Sequence, residues 1–283
     1  MINIKNLHFG YTKNKELFSD LNLQLQKGKI YGLLGKNGSG KTSLIKQMTG
    51  LLFPDKGSIE VLGQNPQNRS PQFLASYYLI PEEFETSNIS LKTFLKITAV
   101  FYPDFNEDQF MKYLTEFKIN LSLKLNELSY GQKKKVLLSF GLATNTPILM
   151  MDEPTNGLDI PSKSIFRRLM ASALTEKRTF IISTHQVKDI EGIIDSIVIL
   201  NQGKIIFNES LERISQLLSF GNLTSLDNNV LYAEKHFNSY EAISLSRKDD
   251  EASRINLELL FNAIIEPDSK LIQLFDNAKT EKI

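Results

Sequence analysis

The sequence predicts an α/β protein whose core is a mostly parallel β-sheet covered by helices. Two observations carry this prediction. Short apolar segments at 30–34, 148–152 and 179–184 have the length and composition of buried strands. Helical patterns separate these segments along the chain, as crossover connections between parallel strands require.

The first thirty residues predict an antiparallel β subdomain. Leu21, Leu23 and Leu25 alternate with polar residues, and this period of two is typical of half-buried strands. A buried strand at 30–34 then leads into a helix predicted from Thr42 to Met48.

A helical subdomain is predicted at about 83–142, where helical patterns interrupt the alternation of strands and helices. Within it, a helix opens near Ser129. The alternation then resumes and closes with a hairpin at 196–207 whose turn is "NQG". These patterns define one predicted domain, residues 1–209.

The patterns weaken over residues 210–283. Helices at 209–218 and 255–266 and strands at 230–237 and 240–246 are the elements that the sequence indicates there. We therefore predict a small C-terminal accessory region without chemistry of its own.

Composition narrows the function classes. Thirty-three Lys and Arg residues face 32 Asp and Glu residues, so the balanced charge gives no support for nucleic-acid binding. Zero cysteines exclude disulfides, thiolate metal sites and thiol catalysis. The N-terminus lacks a signal-peptide layout, and no apolar stretch reaches the roughly 18 residues that span a bilayer. A cytoplasmic protein is expected, with the "KKK" run at 133–135 on a solvated helix face.

A glycine-rich segment follows the strand at 30–34. Gly35, Gly40, Lys41 and Thr42 match the pattern G-x-x-x-x-G-K-[ST] of a phosphate-binding loop. Such a loop surrounds phosphate oxygens with main-chain N–H groups at the positive end of a helix. Lys41 is expected to reach the β- and γ-phosphates, and the Thr42 hydroxyl to hold Mg²⁺. The predicted nucleotide-binding residues of this loop are Gly35, Lys36, Asn37, Gly38, Ser39, Gly40, Lys41, Thr42 and Ser43.

A second carboxylate-bearing motif follows the apolar strand at 148–151. The strand would deliver Asp152 to the sheet edge beside the phosphate-binding loop, as a Mg²⁺ ligand. Glu153 follows directly and could polarise a water for in-line attack on the γ-phosphate.

The segment "LSYGQ" at 128–132, taken together with the phosphate-binding loop, indicates which protein family the chain resembles. Over about residues 1–208 the chain resembles the ATP-binding subunits of ABC transporters, which share a P-loop NTPase core. The order of motifs matches: "HFGY", the phosphate-binding loop, "LSYGQ", "ILMMDE", "NGLD" and "ISTH".

This resemblance implies roles for further residues. Tyr11 is implied to stack on adenine, Asp159 to help join two subunits, and His185 to contact the γ-phosphate and hold the attacking water. Ser129, Gly131 and Gln132 are implied to open a helix toward the γ-phosphate held by the other subunit of a head-to-tail dimer. We refer to residues 128–132 as the signature.

The chain departs from the family pattern at two positions. Tyr130 stands where the first of two signature glycines is usual. Glu82 takes the place of a glutamine that offers a neutral oxygen to Mg²⁺. As a glutamate it is expected to ligate the metal more strongly, but its charge near the phosphates is unfavourable unless screened. Whether Glu82 or Glu83 points inward stays open at this stage.

The resemblance implies an ATP-hydrolysing subunit, with ATP and Mg²⁺, that energises a separate membrane permease. It would act as a homodimer or with a second ABC ATPase subunit, peripheral on the cytoplasmic face of the membrane. Export is favoured over import, and the sequence does not identify the transported substrate. Alternatives are an ATP-dependent dimerising clamp, a soluble ABC ATPase without a transport role and, more remotely, a kinase.

Overall fold

The structure is a computed structural model that describes residues 1–12, 15–85, 88–246 and 253–280. Its strands are β1 (Ile2–Thr12), β2 (Lys15–Leu25), β3 (Ile30–Leu34), β4 (Lys56–Val61), β5 (Tyr77–Ile80), β6 (Ile148–Asp152), β7 (Thr179–Thr184), β8 (Ser196–Asn201), β9 (Lys204–Ser210), β10 (Leu218–Leu223), β11 (Val230–His236) and β12 (Ser239–Leu245). Its α-helices are α1 (Lys41–Met48), α2 (Pro71–Leu74), α3 (Leu91–Thr98), α4 (Glu107–Glu116), α5 (Tyr130–Ala143), α6 (Ile160–Ala173), α7 (Val187–Ile190), α8 (Leu211–Leu217), α9 (Leu257–Ile265) and α10 (Lys270–Thr280).

The central sheet has the strand order β5-β6-β7-β3-β8-β9. Its first five strands are parallel, and β9 joins antiparallel at the edge through the hairpin with β8. The register pairs Leu34 of β3 with Thr184 of β7 and Asp152 of β6 with Ser183. The carboxyl ends of β3, β6 and β7 therefore meet at one sheet edge, where ligands bind in open α/β sheets. The predicted α/β fold with a mostly parallel sheet is confirmed.

The N-terminal sheet is antiparallel, with the order β2-β1-β4, as the period-two pattern predicts. Its apolar face packs on helix α1 and the central sheet in a cluster that includes Ile4, Leu44 and Val198. Phe18 of β2 lies directly beneath the phosphate-binding loop. A Cβ atom added at Gly40 would come 2.7 Å from the Phe18 ring, and Gly40 has a φ of 108°, so this position requires glycine.

Helices α3, α4 and α5 lie between β5 and β6 in the chain. Phe140 of α5 is the centre of an aromatic cluster whose other members are Tyr78, Phe94, Tyr102, Phe105 and Phe110. Pro103 lies in the segment that separates α3 from α4.

The expectation that residues 133–135 form a solvated face is wrong. Lys134 is fully buried, and Lys133 and Lys135 are only partly exposed. Burial of a lysine ammonium is unfavourable unless polar groups surround it, and main-chain carbonyls near β5 provide them here.

The C-terminal residues form a further antiparallel sheet, β10-β12-β11, with helices α8, α9 and α10. Strand β10 and helix α10 are elements that the sequence patterns did not predict. The ring of Phe275 in α10 packs edge-on against Phe207 of β9, with centroids 5.0 Å apart. Buried side chains thus run without interruption from the central sheet into the C-terminal helices. The division at residue 209 stays a prediction.

Within the described ranges, none of the helices combines the length and the apolar character that crossing a membrane demands.

Candidate nucleotide-binding and catalytic site

Lys41 begins helix α1 and folds back over its own loop. Its Nζ donates hydrogen bonds to the carbonyl of Gly35, at 2.8 Å, and to that of Lys36, at 3.3 Å. Only 7% of the residue is exposed. Burial lowers the pKa of this ammonium, while three carboxylates oppose that shift: Glu153, Asp152 and Glu82. The loop thus holds a cation close to the carboxyl edge of the sheet.

Asp152 lies at the end of β6 and is nearly fully buried. Its Oδ2 accepts a hydrogen bond of 2.6 Å from Thr42 Oγ1, and its Oδ1 accepts one from Ser183 Oγ. The predicted metal ligands Thr42 and Asp152 are therefore in direct contact.

Glu153 is held by three hydrogen bonds from β7 and the residue after it. Thr184 Oγ1 donates to Oε2 at 2.9 Å, and the main-chain N–H of His185 donates to Oε1 at 3.0 Å. The His185 ring Nδ1 lies 2.8 Å from the same Oε1. Lys41 Nζ is 3.9 Å from Oε1, which places the catalytic candidates Glu153, His185 and Lys41 in one group.

A cavity of about 550 Å³ opens above this group, a size typical of small-molecule sites. The predicted residues that line it are Tyr11, Asn37, Gly38, Gly40, Lys41, Thr42, Ser43, Glu82, Asp152, Glu153 and His185. Gly35, Lys36 and Ser39 belong to the loop but do not line the cavity, although Lys36 and Gly35 accept the Lys41 hydrogen bonds.

The sequence reasoning missed four residues of the cavity wall: Thr12, Lys15, Glu16 and Leu17. A signal for them existed, because an antiparallel partner strand places its residues opposite Tyr11. The register pairs Thr12 with Lys15.

Tyr11 stands at the mouth of the cavity, 63% exposed. Its hydroxyl is 2.8 Å from Ser43 Oγ, and its ring meets Phe9 edge-on at 5.1 Å. These contacts fix the ring while leaving it open to a ligand.

Glu82 is the glutamate that faces the cavity. It follows β5 after one proline, lines the cavity, and accepts a hydrogen bond of 3.1 Å from Asn156 Nδ2 at Oε1. Glu83 is exposed and lines a neighbouring crevice instead. The structure thus answers the question that the sequence left open.

The oxygen atoms of Thr42, Asp152 and Glu82 suit Mg²⁺, which prefers hard oxygen ligands. Across the described residues there is no cluster of three or more His, Cys, Asp or Glu side chains able to hold a metal by themselves. A site with one or two carboxylates fits Mg²⁺ bound together with nucleotide phosphates, so the donor set fits the predicted ion.

The signature lies away from this cavity. Ser129 caps helix α5: its Oγ accepts from Gln132 N at 3.3 Å, and Gln132 Oε1 accepts from Ser129 N at 2.9 Å. A Cβ atom at Gly131 would come 2.5 Å from the carbonyl oxygen of Gly157. Ser129, Gly131 and Gln132 are absent from the cavity wall.

Asp159 caps helix α6 by accepting a hydrogen bond of 2.9 Å from Ser162 N, and its side chain is 65% exposed. It does not line the cavity either. Within one chain, the structure therefore separates the signature and Asp159 from the phosphate-binding loop.

Comparison with known proteins adds independent evidence. Residues 18–156 match the family model described as ABC transporter. The chain is 30% identical over 219 residues, 72% of its own length and 90% of the relative's, to a putative ABC transporter ATP-binding protein AlbC of Bacillus subtilis. It is 29% identical over 237 residues to the lantibiotic transport ATP-binding protein SrtF of Streptococcus pyogenes, covering 83% of this chain and 99% of that protein.

Solved structures show the same fold. An ATP-binding subunit of an ABC transporter superposes with a TM-score of 0.67 at 27% identity, covering 76% of this chain and 91% of that one. A dimeric ATP-binding cassette bound to ADP and Pi has a TM-score of 0.65 at 20% identity, which shows the fold alone. Together with the assembled phosphate-binding loop and carboxylates, these matches show that the chain belongs to the ABC transporter ATP-binding proteins, a family of nucleotide-binding ATPases.

Proposed function

We propose that this chain is the subunit of an ABC transporter that hydrolyses ATP between two copies and drives a separate membrane permease. The observation that carries the proposal is the position of Glu153. Its buried carboxylate lies 3.9 Å from the Lys41 ammonium at the wall of the nucleotide cavity.

Binding relies on main-chain N–H groups and one cation. The N-terminus of α1 points its orphan N–H groups and positive dipole end at the phosphate position. Lys41 adds a positive charge there, and Tyr11 offers a ring face at the cavity mouth for the base.

The predicted metal ligands are Thr42, Asp152 and Glu82. Mg²⁺ bound there would neutralise charge on the β- and γ-phosphates. The Thr42 hydroxyl donates a hydrogen bond to Asp152, so the oxygen atoms of these two side chains lie side by side.

Hydrolysis needs a base beside the γ-phosphate. Water oxygen attacks the γ-phosphorus, the bond to the β–γ bridging oxygen breaks, and the products are ADP and phosphate. Glu153 accepts the proton of the attacking water, since its carboxylate is at the cavity wall. His185 holds Glu153 in place through two hydrogen bonds and is positioned to orient the same water.

Dimerisation is supported by the separation of the two half-sites. The exposed N-terminus of α5 would supply Ser129 to the γ-phosphate held by another subunit. That subunit is a second copy of this chain or a related ABC ATPase.

Transport is supported by the names of the relatives. One is a lantibiotic transport protein, and another, 29% identical over 231 residues, is the bacitracin transport ATP-binding protein BcrA of Bacillus licheniformis. We propose export of a substrate through a permease encoded as a separate chain, with this subunit held on the cytoplasmic face of the membrane.

A second candidate function is an ATP-dependent clamp that binds nucleotide without efficient turnover. The negative charge of Glu82 beside Asp152 favours it, because a further anion near the phosphates opposes the transition state.

Glu153→Gln separates these functions. The amide keeps the shape but cannot accept the proton, so turnover should fall by roughly 10²- to 10⁴-fold while nucleotide binding persists. The measurements are phosphate release and the ATP-dependent dimer by light scattering. The exposed Glu60 provides a matched control, because Glu60→Gln makes the same change away from the cavity. Unchanged phosphate release in Glu153→Gln would contradict the assigned base, and a wild-type protein that binds ATP but never turns it over would favour the clamp.

The permease is tested by reconstitution. The chain is co-expressed with a multi-span membrane protein encoded beside it, and both are placed in lipid vesicles. Faster ATP hydrolysis in the vesicles than in solution, lost with Glu153→Gln, is the expected result. Hydrolysis indifferent to the membrane protein would contradict the transport role.

A further inference from the structure

Lys134 lies on the signature helix α5 but contacts the segment that carries Glu82. It is 0% exposed. Its Nζ donates hydrogen bonds to the carbonyls of Pro81, at 2.9 Å, and Glu82, at 3.1 Å. This buried lysine therefore binds two main-chain carbonyls that lie 53 and 52 residues upstream in the chain.

Tyr130 holds the same carbonyl from the side. Its hydroxyl donates a hydrogen bond of 2.6 Å to the Glu82 carbonyl. Its ring stacks on Phe84 with centroids 5.4 Å apart and planes 15° apart. We call Tyr130, Lys134 and Phe84 the carbonyl clamp.

The ammonium of Lys134 also faces the two aromatic rings of the clamp. It lies 5.4 Å from the centroid of Phe84 and 5.8 Å from that of Tyr130. Both distances are within the range of cation–π attraction. The clamp is thus a connected group, and truncating one member removes contacts of the other two.

Tyr130 further contacts the loop after β6. Gly157 has a φ of 78°, and a Cβ atom there would come 2.6 Å from Tyr130 Cδ1. The tyrosine therefore contacts the loop that carries Glu82 and the loop that carries Asn156, whose amide donates to the Glu82 carboxylate.

The charges in this region are complementary. Burial lowers the pKa of Lys134 to about 8, while the carboxylates of Glu82, Asp152 and Glu153 oppose the shift. Burial of a lysine ammonium is unfavourable by itself, and the two carbonyl hydrogen bonds together with these carboxylates offset that cost here. Lys134 supplies positive charge beside the extra negative charge that Glu82 brings to the site.

We propose that Tyr130 and Lys134 are positioning residues that fix the backbone at Glu82, so that its carboxylate faces Thr42 and Asp152 for Mg²⁺. Both residues are on α5, and the first turn of α5 belongs to the signature. The clamp therefore connects the signature to the loop that carries Glu82. This inference rests on the proposed function.

The first test measures metal binding without turnover. Mn²⁺ replaces Mg²⁺ and is titrated in the presence of a non-hydrolysable ATP analogue, with bound metal followed by electron paramagnetic resonance. Lys134→Met keeps most of the side-chain volume and removes the two hydrogen bonds. We expect about tenfold weaker Mn²⁺ binding and unchanged affinity for the analogue without metal.

Lys133→Met is the matched control, because it makes the same change one residue earlier on the helix. It should leave Mn²⁺ binding unchanged. Tyr130→Phe removes a single hydroxyl and keeps the stacked ring, so a smaller loss of about threefold is expected.

A double-mutant cycle with Glu82→Gln separates positioning from general stability. If the clamp acts through the Glu82 carboxylate, Lys134→Met weakens Mn²⁺ binding far less in the Glu82→Gln background than in the wild type. Equal losses in both backgrounds, or no loss in either, would overturn the inference. Should Lys134→Met not fold, the same cycle with Tyr130→Phe decides the question.

The two proposals fail in different ways. Wild-type protein that neither hydrolyses ATP nor binds metal with the analogue overturns the proposed function. Wild-type protein that does both, combined with an additive cycle, overturns only the positioning roles of Tyr130 and Lys134.

Discussion

Lys41, Asp152 and Glu153 are each at most 7% exposed and each bonded within the chain, whereas Ser129 and Asp159 lie on the surface. The first three sit at the carboxyl edge of the central sheet. The other two precede helices α5 and α6 and cap their first turns, and the Asp159 carboxylate also lies 3.9 Å from Lys135 Nζ. The half-site that contains the phosphate-binding loop is therefore buried, and we call it the inward half. The half-site that contains the signature and Asp159 is exposed, and we call it the outward half.

The difference indicates that one chain carries two half-sites that belong to different nucleotide-binding sites. The inward half gathers a cation and two carboxylates of one chain at the wall of a cavity that suits a nucleotide and its metal ion. The outward half presents a helix N-terminus with orphan N–H groups, which favours an anion that the same chain does not place there. A head-to-tail pair would bring the halves together.

The largest effects on activity are expected when each half-site is damaged separately. Lys41→Met removes the cation that faces the phosphates, so both nucleotide binding and hydrolysis should fall at least about a hundredfold. Ser129→Arg blocks the signature with a bulky cation, so hydrolysis should fall similarly while a single chain still binds nucleotide. Calorimetry with ATP and phosphate release measure these two properties. Equal loss of binding in both variants would contradict the division.

A mixture of the two inactive variants tests whether the two half-sites of one nucleotide-binding site come from different chains. Each mixed dimer contains one site with both halves intact, so equal amounts should regain about a quarter of the wild-type rate. Phosphate release before and after mixing is the measurement. A mixture that stays inactive would show that each chain completes its own site.

Gly131→Ala tests how closely the signature approaches the loop at Gly157. The new Cβ would meet the Gly157 carbonyl at 2.5 Å, and this clash should destabilise the fold by about 1–3 kcal/mol. The melting temperature measures it. Gly221→Ala is the control, because a Cβ there meets nothing within 4 Å. Equal stability of the two variants would place the signature further from Gly157.

The smallest effect is expected at the cavity mouth. Tyr11→Ala removes the ring and should weaken nucleotide binding by about 1–2 kcal/mol, the scale of one stacked base. Tyr11→Phe removes only the hydroxyl that contacts Ser43 and should change affinity by less than about threefold. Fluorescence titration with a labelled nucleotide measures both. A larger loss in Tyr11→Phe than in Tyr11→Ala would exclude stacking.

Local patterns predicted the inward half well. The strand at 30–34, the glycine-rich loop and the strand ending at Asp152 each carry their own signal within a few residues, and their meeting point follows from parallel topology. The signature helix and its cap at Ser129 were predictable for the same reason.

The contacts of Lys134 were not predictable. Its acceptors are carbonyls at residues 81 and 82, and no local pattern in "KKK" distinguishes a lysine that points inward from its neighbours. Strand β10 was missed because its six residues, "LSFGNL", continue a helical pattern and contain a glycine. Their pairing with β12 is a long-range interaction that overrides local preference.

The contact between Phe207 and Phe275 has a practical consequence for work on shorter versions of this protein. A polypeptide that stops after residue 209 would retain every cavity residue, yet it would uncover apolar side chains that now shield one another. Such a fragment should aggregate or melt early, so loss of ATP turnover on trimming would report damage to the interior rather than a missing catalytic group.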